Sequence, residues 1–256
     1  MKEKPTILIA NDDGYRAKGL RKLADLMRTI GKVIVVTTEK ANSAQGHSIT
    51  VTEPLRYHLH EKGEDYEMYV CNGRPVDCVK LGYQVIMDKN PDIVVSGINH
   101  GSNASTNLIY SGTMAAVVEA CMDEIPAVGF SLDSYSPDAY FDHLDRYIID
   151  IVENVLERGL PDRVCLNVNF PKYDPENPIK GIRICRQADG RWVESFDRRN
   201  DPSGKEYFWL TGYFEEKDLS EDGDQYALKN NYVSIVPTSY DWTAHFAIDT
   251  IKKWNL

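Results

Sequence analysis

The fold of this 256-residue chain is constrained most strongly by the alternation of two hydrophobic patterns. Short apolar runs rich in β-branched residues are typical of buried strands, and apolar residues spaced three or four positions apart are typical of helices. Strands are predicted at 6–10, 32–38, 92–98, 126–130 and 164–169, and helices at 18–30, 76–87, 112–122 and 137–157. Such alternation predicts an α/β fold with a mostly parallel sheet covered on both faces.

The pattern changes after Pro171. Aromatic and charged residues then flank turn signals, which predicts an extended β-hairpin. An isolated two-stranded hairpin is marginally stable, so we expect this region to pack against a partner subunit. We therefore divide one domain into a catalytic core at 1–171 and a hairpin with a C-terminal arm at 172–256. Within the second part we predict a hairpin at 179–213, a loop at 215–224, a strand at 232–237 and a helix at 242–254.

Composition narrows the possible functions. A formal net charge of −10 disfavours binding to nucleic acid or to an anionic membrane surface. No apolar stretch is long enough to span a bilayer, and no signal region precedes the first strand. The five cysteines form no C-x-x-C pair, which indicates free thiols in a reducing compartment. We therefore expect a cytoplasmic protein whose partner is a small molecule.

Two adjacent carboxylates, Asp12 and Asp13, directly follow the first apolar run. Ligands of open α/β sheets bind just outside the carboxyl ends of the strands. Two like charges at such an edge repel each other unless a proton or a cation compensates them, and a hard divalent metal ion does this readily. The pair therefore indicates either a metal site or a solvated turn, since Asn, Asp and Gly are ordinary turn residues.

Three further polar loops follow predicted strands or open a helix. The loop at 42–48 offers the hydroxyl of Ser43 as a neutral oxygen ligand and His47 as a phosphate contact or an acid–base group, although both are equally compatible with an ordinary loop. The loop at 96–103 offers amide groups from Asn99 and Asn103, and an Asn99 oxygen beside the two aspartates would complete an all-oxygen shell suited to Mg²⁺, Mn²⁺ or Ca²⁺.

The last of these segments, at 110–116, marks the start of a helix. Ser111 or Thr113 is suited to cap that helix. The free backbone N–H groups of the first turn also form an anion site, so phosphate binding there is a further hypothesis. Nothing in the chain matches the nucleotide fingerprint G-x-G-x-x-G or a phosphate loop that ends in Gly-Lys-Ser or Gly-Lys-Thr.

Taken together, these segments resemble the SurE family, the survival-protein nucleotidases. The similarity rests on NDDG at 11–14, NSAQGHSIT at 42–50, SGINHGSN at 96–103, YSGT at 110–113 and YVSI at 232–235. It implies a Rossmann-like three-layer fold with an extended hairpin and a C-terminal arm that is exchanged in a homodimer or homotetramer. It further implies one divalent metal ion, Mg²⁺ or Mn²⁺, per subunit. By this resemblance Asp12, Asp13, Ser43 and Asn99 are metal ligands, and Asn103, Ser111, Gly112 and Thr113 line the phosphate site.

The resulting hypothesis is a metal-dependent phosphomonoesterase that hydrolyses nucleoside 5′-monophosphates by metal-activated water, with 3′-monophosphates and short polyphosphate as further candidate substrates. Asp12, Asp13 and Asn99 would be its catalytic residues. One alternative is a nucleotide-binding sensor without turnover. Another is a phosphatase that forms an aspartyl-phosphate, although such enzymes need an acidic pair at alternate positions. A glycosidase is disfavoured because its two carboxylates must lie several ångströms apart.

Overall fold

The computed structural model describes residues 4–254, and most of its strands join one nine-stranded sheet. The strands are β1 (Thr6–Ala10), β2 (Lys32–Thr38), β3 (Tyr57–Gly63), β4 (Tyr66–Cys71), β5 (Ile93–His100), β6 (Ala127–Leu132), β7 (Cys165–Phe170), β8 (Ile182–Ile184), β9 (Gly190–Asn200), β10 (Glu206–Glu216) and β11 (Val233–Thr238). Their order in the sheet is β3-β4-β2-β1-β5-β6-β7-β11-β8. From β4 to β7 all neighbours are parallel, whereas β3 and β11 run antiparallel to β4 and β7. The predicted mostly parallel α/β fold is confirmed.

Helices cover both faces of this sheet. They are α1 (Lys18–Arg28), α2 (Pro75–Leu81), α3 (Gly112–Met122), α4 (Asp145–Arg158), α5 (Asp224–Lys229) and α6 (His245–Ile251). Apolar residues of α1 and α4, such as Leu23 and Ile148, belong to one buried cluster, and those of α2 and α3, such as Val79 and Val117, belong to another. The two clusters lie on opposite faces because successive side chains of a strand alternate between faces, as Ile7 and Leu8 do here. The core therefore has three layers, with the sheet between two layers of helices.

The predicted hairpin is present as a separate two-stranded sheet, but it covers Gly190–Asn200 and Glu206–Glu216 rather than 179–213, so it includes the start of the loop predicted at 215–224, where α5 also begins at Asp224. Strands β9 and β10 pair antiparallel over their full lengths, and the turn between them is closed by the amide of Gly204, which donates to the carbonyl oxygen of Asp201 (2.9 Å). The region after residue 171 also returns to the core, since β8 and β11 extend the main sheet. The division at residue 171 stays a prediction.

The predicted helices are mostly longer than those observed: the one predicted at 18–30 ends at Arg28, and the one predicted at 76–87 is α-helical only over Pro75–Leu81. The helix predicted at 137–157 begins only at Asp145, because the preceding segment forms serine turns in which Ser136 accepts from the amides of Asp138 and Ala139. The terminal helix predicted at 242–254 is confined to His245–Ile251. There the side chain of Asp241 accepts the amide of Thr243 (2.9 Å) and holds a turn before the helix.

The cysteines are free and buried, as the sequence predicted: Cys71, Cys78, Cys121, Cys165 and Cys185. Within residues 4–254, no helix has both the length and the apolar character needed to cross a membrane.

Candidate functional site

The candidate site lies where the strand order of the sheet reverses. Strand β1 pairs with β2 on one side and with β5 on the other, and the chain adds β2 and β4 on the first side before it crosses to β5 on the second. Ligands of open α/β sheets bind at such a switch point, outside the carboxyl ends of the strands. Asp12 follows the end of β1, and Asn99 lies at the end of β5. The two predicted ligands therefore stand on either side of the crevice.

Asp12 is the most deeply buried charged group of this crevice, with 3% of its surface exposed. Its Oδ1 accepts the hydroxyl of Thr113 (2.7 Å), and its carboxylate also accepts the backbone N–H groups of Gly112 and of Asp12 itself. Burial and the neighbouring charge of Asp13 nevertheless raise the pKa of Asp12 to about 6. The ionised carboxylate is thus held in place, but its negative charge is only partly compensated.

Asp13 is less deeply buried and stands beside the cleft rather than in its wall. Burial raises the pKa of its carboxyl group, and a hydrogen bond from the backbone of His100 partly offsets this. His100 itself contributes to the cleft wall, and burial lowers the pKa of its imidazole. The two adjacent carboxylates are therefore both partly withdrawn from water, which makes the pair a place where a cation lowers the electrostatic free energy.

The loop that carries Ser43 reaches the same crevice. The backbone N–H of Asn42 donates to the carbonyl oxygen of Asp12 (2.7 Å), so the residue before Ser43 is bound directly to the Asp12 turn. Ser43 is solvent-exposed and lines the cleft. His47 does not line the cleft, because its Nε2 bonds to Glu119 (2.7 Å) on α3. The hypothesis that His47 contacts a phosphate finds no support in this geometry.

Asn99 belongs to strand β5 rather than to the loop predicted at 96–103. The pairing of β5 with β6 shifts register between Ser96 and Asn99, an irregularity of the kind that redirects a side chain at a sheet edge. The amide nitrogen of Asn99 donates to the carbonyl oxygen of Gly101 (2.8 Å). This bond uses the side-chain nitrogen, so it does not occupy Oδ1, the acceptor atom that a metal ion would need.

These four residues fit a hard divalent cation by their chemistry. Their donors are two carboxylates, a hydroxyl and an amide oxygen, which is the all-oxygen set that Mg²⁺ and Mn²⁺ prefer. Residues 4–254 contain no group of three His, Cys, Asp or Glu side chains placed to hold a metal ion. A cation in this part of the chain would therefore need neutral oxygens such as those of Ser43 and Asn99.

The residues predicted to line a phosphate site fall into two groups. Ser111 caps α3 by accepting the backbone N–H of Met114 (3.0 Å). Both Ser111 and Asn103 line the cleft. Gly112 and Thr113 lie behind Asp12 and bind its carboxylate, so in this structure they support the aspartate rather than face the cleft. Only glycine fits at 112, because a Cβ there would lie 2.7 Å from the Cβ of Asp12.

Asn103 is held from three sides by buried polar residues of the neighbouring strands. Its backbone N–H donates to Asn169 (2.8 Å), its carbonyl oxygen accepts the amide of Asn167 (2.9 Å), and its side-chain nitrogen donates to Ser131 (2.7 Å). All three partners have at most 1% of their surface exposed. This network gives the loop after β5 a fixed position, and sequence reasoning missed it because its members lie far apart along the chain.

The cleft in front of these residues has a volume of about 790 Å³ and extends to the hairpin. Tyr110 and Tyr135 line it on the core side, and Trp192, Glu194 and Leu210 line it from β9 and β10. Trp192 is anchored by a hydrogen bond from its Nε1 to Asn107 (2.8 Å). From the sequence, only an oligomerisation role is predicted for the hairpin. The sequence signal for its reach to the site is its aromatic content, of which Trp192 lines the cleft.

Comparisons with known proteins identify the family of this chain. The family model described as survival protein SurE matches residues 7–194. The 5′-nucleotidase SurE of Flavobacterium psychrophilum is 50% identical over 254 residues, which cover 99% of this chain and 98% of that protein. The 5′-nucleotidase SurE of Caldanaerobacter subterraneus subsp. tengcongensis is 41% identical over 256 residues, which cover 99% and 98%. The crystal structure of the SurE protein from Aquifex aeolicus matches with a TM-score of 0.82 and 36% identity, covering 97% of this chain and 98% of that one. This chain belongs to the SurE family.

Proposed function

We propose that this protein is a metal-dependent phosphomonoesterase that hydrolyses nucleoside 5′-monophosphates to nucleoside and phosphate. The observation that carries the proposal is the buried carboxylate of Asp12, which lines a large cleft at the switch point of the sheet together with Ser43 and Asn99. The relatives named 5′-nucleotidase SurE support the same reaction class. 3′-Monophosphates and short polyphosphate are further candidate substrates of the same phosphate site.

In this proposal Asp12, Asp13, Ser43 and Asn99 hold one Mg²⁺ or Mn²⁺ ion per subunit. Such an ion lowers the pKa of a bound water and neutralises charge that develops on a phosphoryl group. Asp12 is kept in position by Thr113 and Gly112, and either Asp12 or Asp13 would accept the proton of the attacking water.

The phosphate and the nucleoside would occupy different parts of the cleft. Ser111 keeps its hydroxyl proton after accepting the amide of Met114, so it can donate to a phosphate oxygen, and the rigidly held Asn103 offers its amide beside it. Tyr110, Tyr135 and Trp192 also line the cleft. Nucleobases stack on aromatic rings of this kind, which supports a nucleotide as the substrate.

A panel of phosphomonoesters tests this function. We expect the protein to release phosphate from nucleoside 5′-monophosphates, to lose this activity after treatment with EDTA, and to regain it with Mg²⁺ or Mn²⁺. The measurement is inorganic phosphate released over time, with 3′-monophosphates, short polyphosphate and a sugar phosphate in parallel. Nucleotide binding without phosphate release under any metal would contradict the enzyme and favour the sensor. Trapping of a covalent phosphoenzyme would favour the aspartyl-phosphate mechanism.

We further propose that the protein works as a homodimer or homotetramer. Large apolar side chains are exposed on the hairpin and in or just before the terminal helix, among them Phe196, Trp209, Tyr213, Trp242 and Phe246. Exposed large apolar side chains in such number support an association site. We expect sedimentation equilibrium to give at least twice the chain mass of 29.1 kDa at micromolar concentration. A mass equal to one chain would contradict the proposal.

A reducing compartment, the cytoplasm, is proposed as the site of action. All five cysteines are buried free thiols, and none of them forms a disulfide. Proteins of oxidising compartments commonly pair their cysteines.

A further inference from the structure

The loop at 42–50, which we call the Ser43 loop, is attached to the body of the protein at several points. Within this loop Ala44 and Gly46 have φ angles of 60° and 55°, in the left-handed region that a residue such as alanine rarely adopts. A turn of this kind persists when surrounding contacts hold it in place. Its backbone contacts are Asn42 N to Asp12 O (2.7 Å), Gly46 N to Tyr110 O (3.1 Å) and Thr50 N to Asp77 Oδ1 (3.0 Å).

A side-chain contact also ties this loop to α3. His47 Nε2 lies 2.7 Å from Glu119 Oε2, and because a carboxylate only accepts, Nε2 carries the proton. Glu119 lies in the same helix whose first residues support Asp12. This contact therefore connects the loop that presents Ser43 with the helix that fixes the first aspartate.

Glu119 is an unusual residue at its position. It has 4% of its surface exposed, in a helix whose other buried residues are apolar or small. Burial raises the pKa of its carboxyl group, but the hydrogen bonds from His47 and Lys80 and their charges outweigh burial, and the pKa lies below its ordinary value. The carboxylate is thus ionised and shared between His47 on the loop and Lys80 on α2.

We propose that Glu119 is a positioning residue for the metal site, which acts by holding His47 and thereby the Ser43 loop. This inference rests on the proposed function, because Ser43 matters only if it contributes to a cation site. Ser43 is exposed and four residues from His47, and it lines the same cleft as Asp12, so the position of its hydroxyl depends on the shape of the loop. Groups that orient metal ligands from outside the coordination shell commonly change metal affinity by about 10- to 100-fold when they are removed.

Lys80 provides a matched control. It bonds to the other oxygen of the same carboxylate but belongs to α2 and makes no part of the Ser43 loop. If Glu119 acts through His47, then loss of Lys80 removes an ion pair without loosening the loop. If Glu119 only neutralises charge in the core, loss of Lys80 has at least the effect of losing His47, because Lys80 forms an ion pair with the same carboxylate.

The experiment measures Mn²⁺ affinity of the metal-free full-length protein, for example by the electron paramagnetic resonance signal of free Mn²⁺. We expect His47→Ala and Glu119→Ala each to weaken binding about tenfold, and the double variant to be no weaker than either single one. Lys80→Met should bind within twofold of the unmodified protein. His47→Ala changes a loop residue and is expected to fold even if Glu119→Ala does not. Unchanged affinity in His47→Ala, equal loss in Lys80→Met, or additive losses in the double variant would each overturn the proposal.

Two further readouts separate this inference from the proposed function. Amide hydrogen exchange at 42–50 in the metal-free protein should accelerate in His47→Ala and Glu119→Ala but not in Lys80→Met, whatever the protein catalyses. In assays of phosphate release, saturating Mn²⁺ should restore the rate of His47→Ala to within about threefold of the rate of the unmodified protein. If the unmodified protein binds Mn²⁺ but releases no phosphate, the proposed function fails while the positioning role of Glu119 stands. If exchange in the Ser43 loop is unaffected by both variants, the positioning role fails alone.

Discussion

Replacement of Asp12 by asparagine is expected to lower phosphate release from nucleoside monophosphates about a thousandfold or more. The change keeps the shape of the side chain but removes a negative charge from the proposed cation site. A metal ion contributes several kcal/mol of charge stabilisation to such a reaction, and each 1.36 kcal/mol corresponds to about a tenfold change in rate. The measurement is the initial rate at saturating substrate and Mn²⁺, compared with the unmodified protein.

Stability measurements separate this loss from misfolding. The folded protein raises the pKa of Asp12 to about 6, so above that pH the ionised carboxylate lowers the stability of the metal-free protein. Asn at this position carries no such cost, and we expect the metal-free variant to melt no lower than the unmodified protein at pH 7.5. Asp88→Asn is the control, since Asp88 is exposed and precedes β5 at the opposite edge of the sheet. Full metal-dependent activity of Asp12→Asn would refute the assignment of Asp12.

The second large effect is expected for Gly112→Ala. A Cβ at this position would lie 2.7 Å from the Cβ of Asp12 and 2.9 Å from its Oδ2, so either the aspartate or the start of α3 must move. A displacement of about 1 Å at a reacting group can cost about a hundredfold in rate. We expect a loss of that size together with weaker Mn²⁺ binding, and a loss of stability of about 1–3 kcal/mol from overpacking.

Gly63→Ala is the matched control for this variant. It introduces the same methyl group in β3, where the nearest heavy atom, the Cβ of Tyr66, is 3.9 Å away. We expect it to retain both activity and Mn²⁺ affinity. Activity of Gly112→Ala equal to that of Gly63→Ala would show that α3 does not hold Asp12 in its working position. Rates are compared below the melting temperature of the less stable variant, so that unfolding does not contribute.

Short-range sequence patterns predicted those helices and strands whose formation depends on residues close together in the chain. Helix α3 occupies the predicted 112–122, because Ser111 caps it and its small residues fit closely against the sheet. The central strands coincide with runs of β-branched residues that are buried on both faces. The start of α4 was misplaced because helical periodicity extends into a segment whose serine side chains hold it in turns instead.

Contacts between distant residues could not be predicted in this way. The positions of Asp12 and Asn99 followed from the rule that strand ends share one edge of the sheet. The bond between His47 and Glu119 joins residues 72 apart, and the sequence around each gives no sign of the other. The same holds for the support of Asn103 by Asn167 and Asn169, and for Trp192, which reaches the cleft only because the hairpin folds back over it. The metal ligands themselves stay a prediction.

The burial of all five thiols has a practical consequence. Maleimide reagents need an accessible thiolate, so the native cysteines should label slowly in the folded protein. A cysteine introduced at Ser203, in the exposed turn at the tip of the hairpin, would then carry a fluorophore in a single place. Energy transfer between donor- and acceptor-labelled chains would then report subunit exchange in the proposed dimer or tetramer.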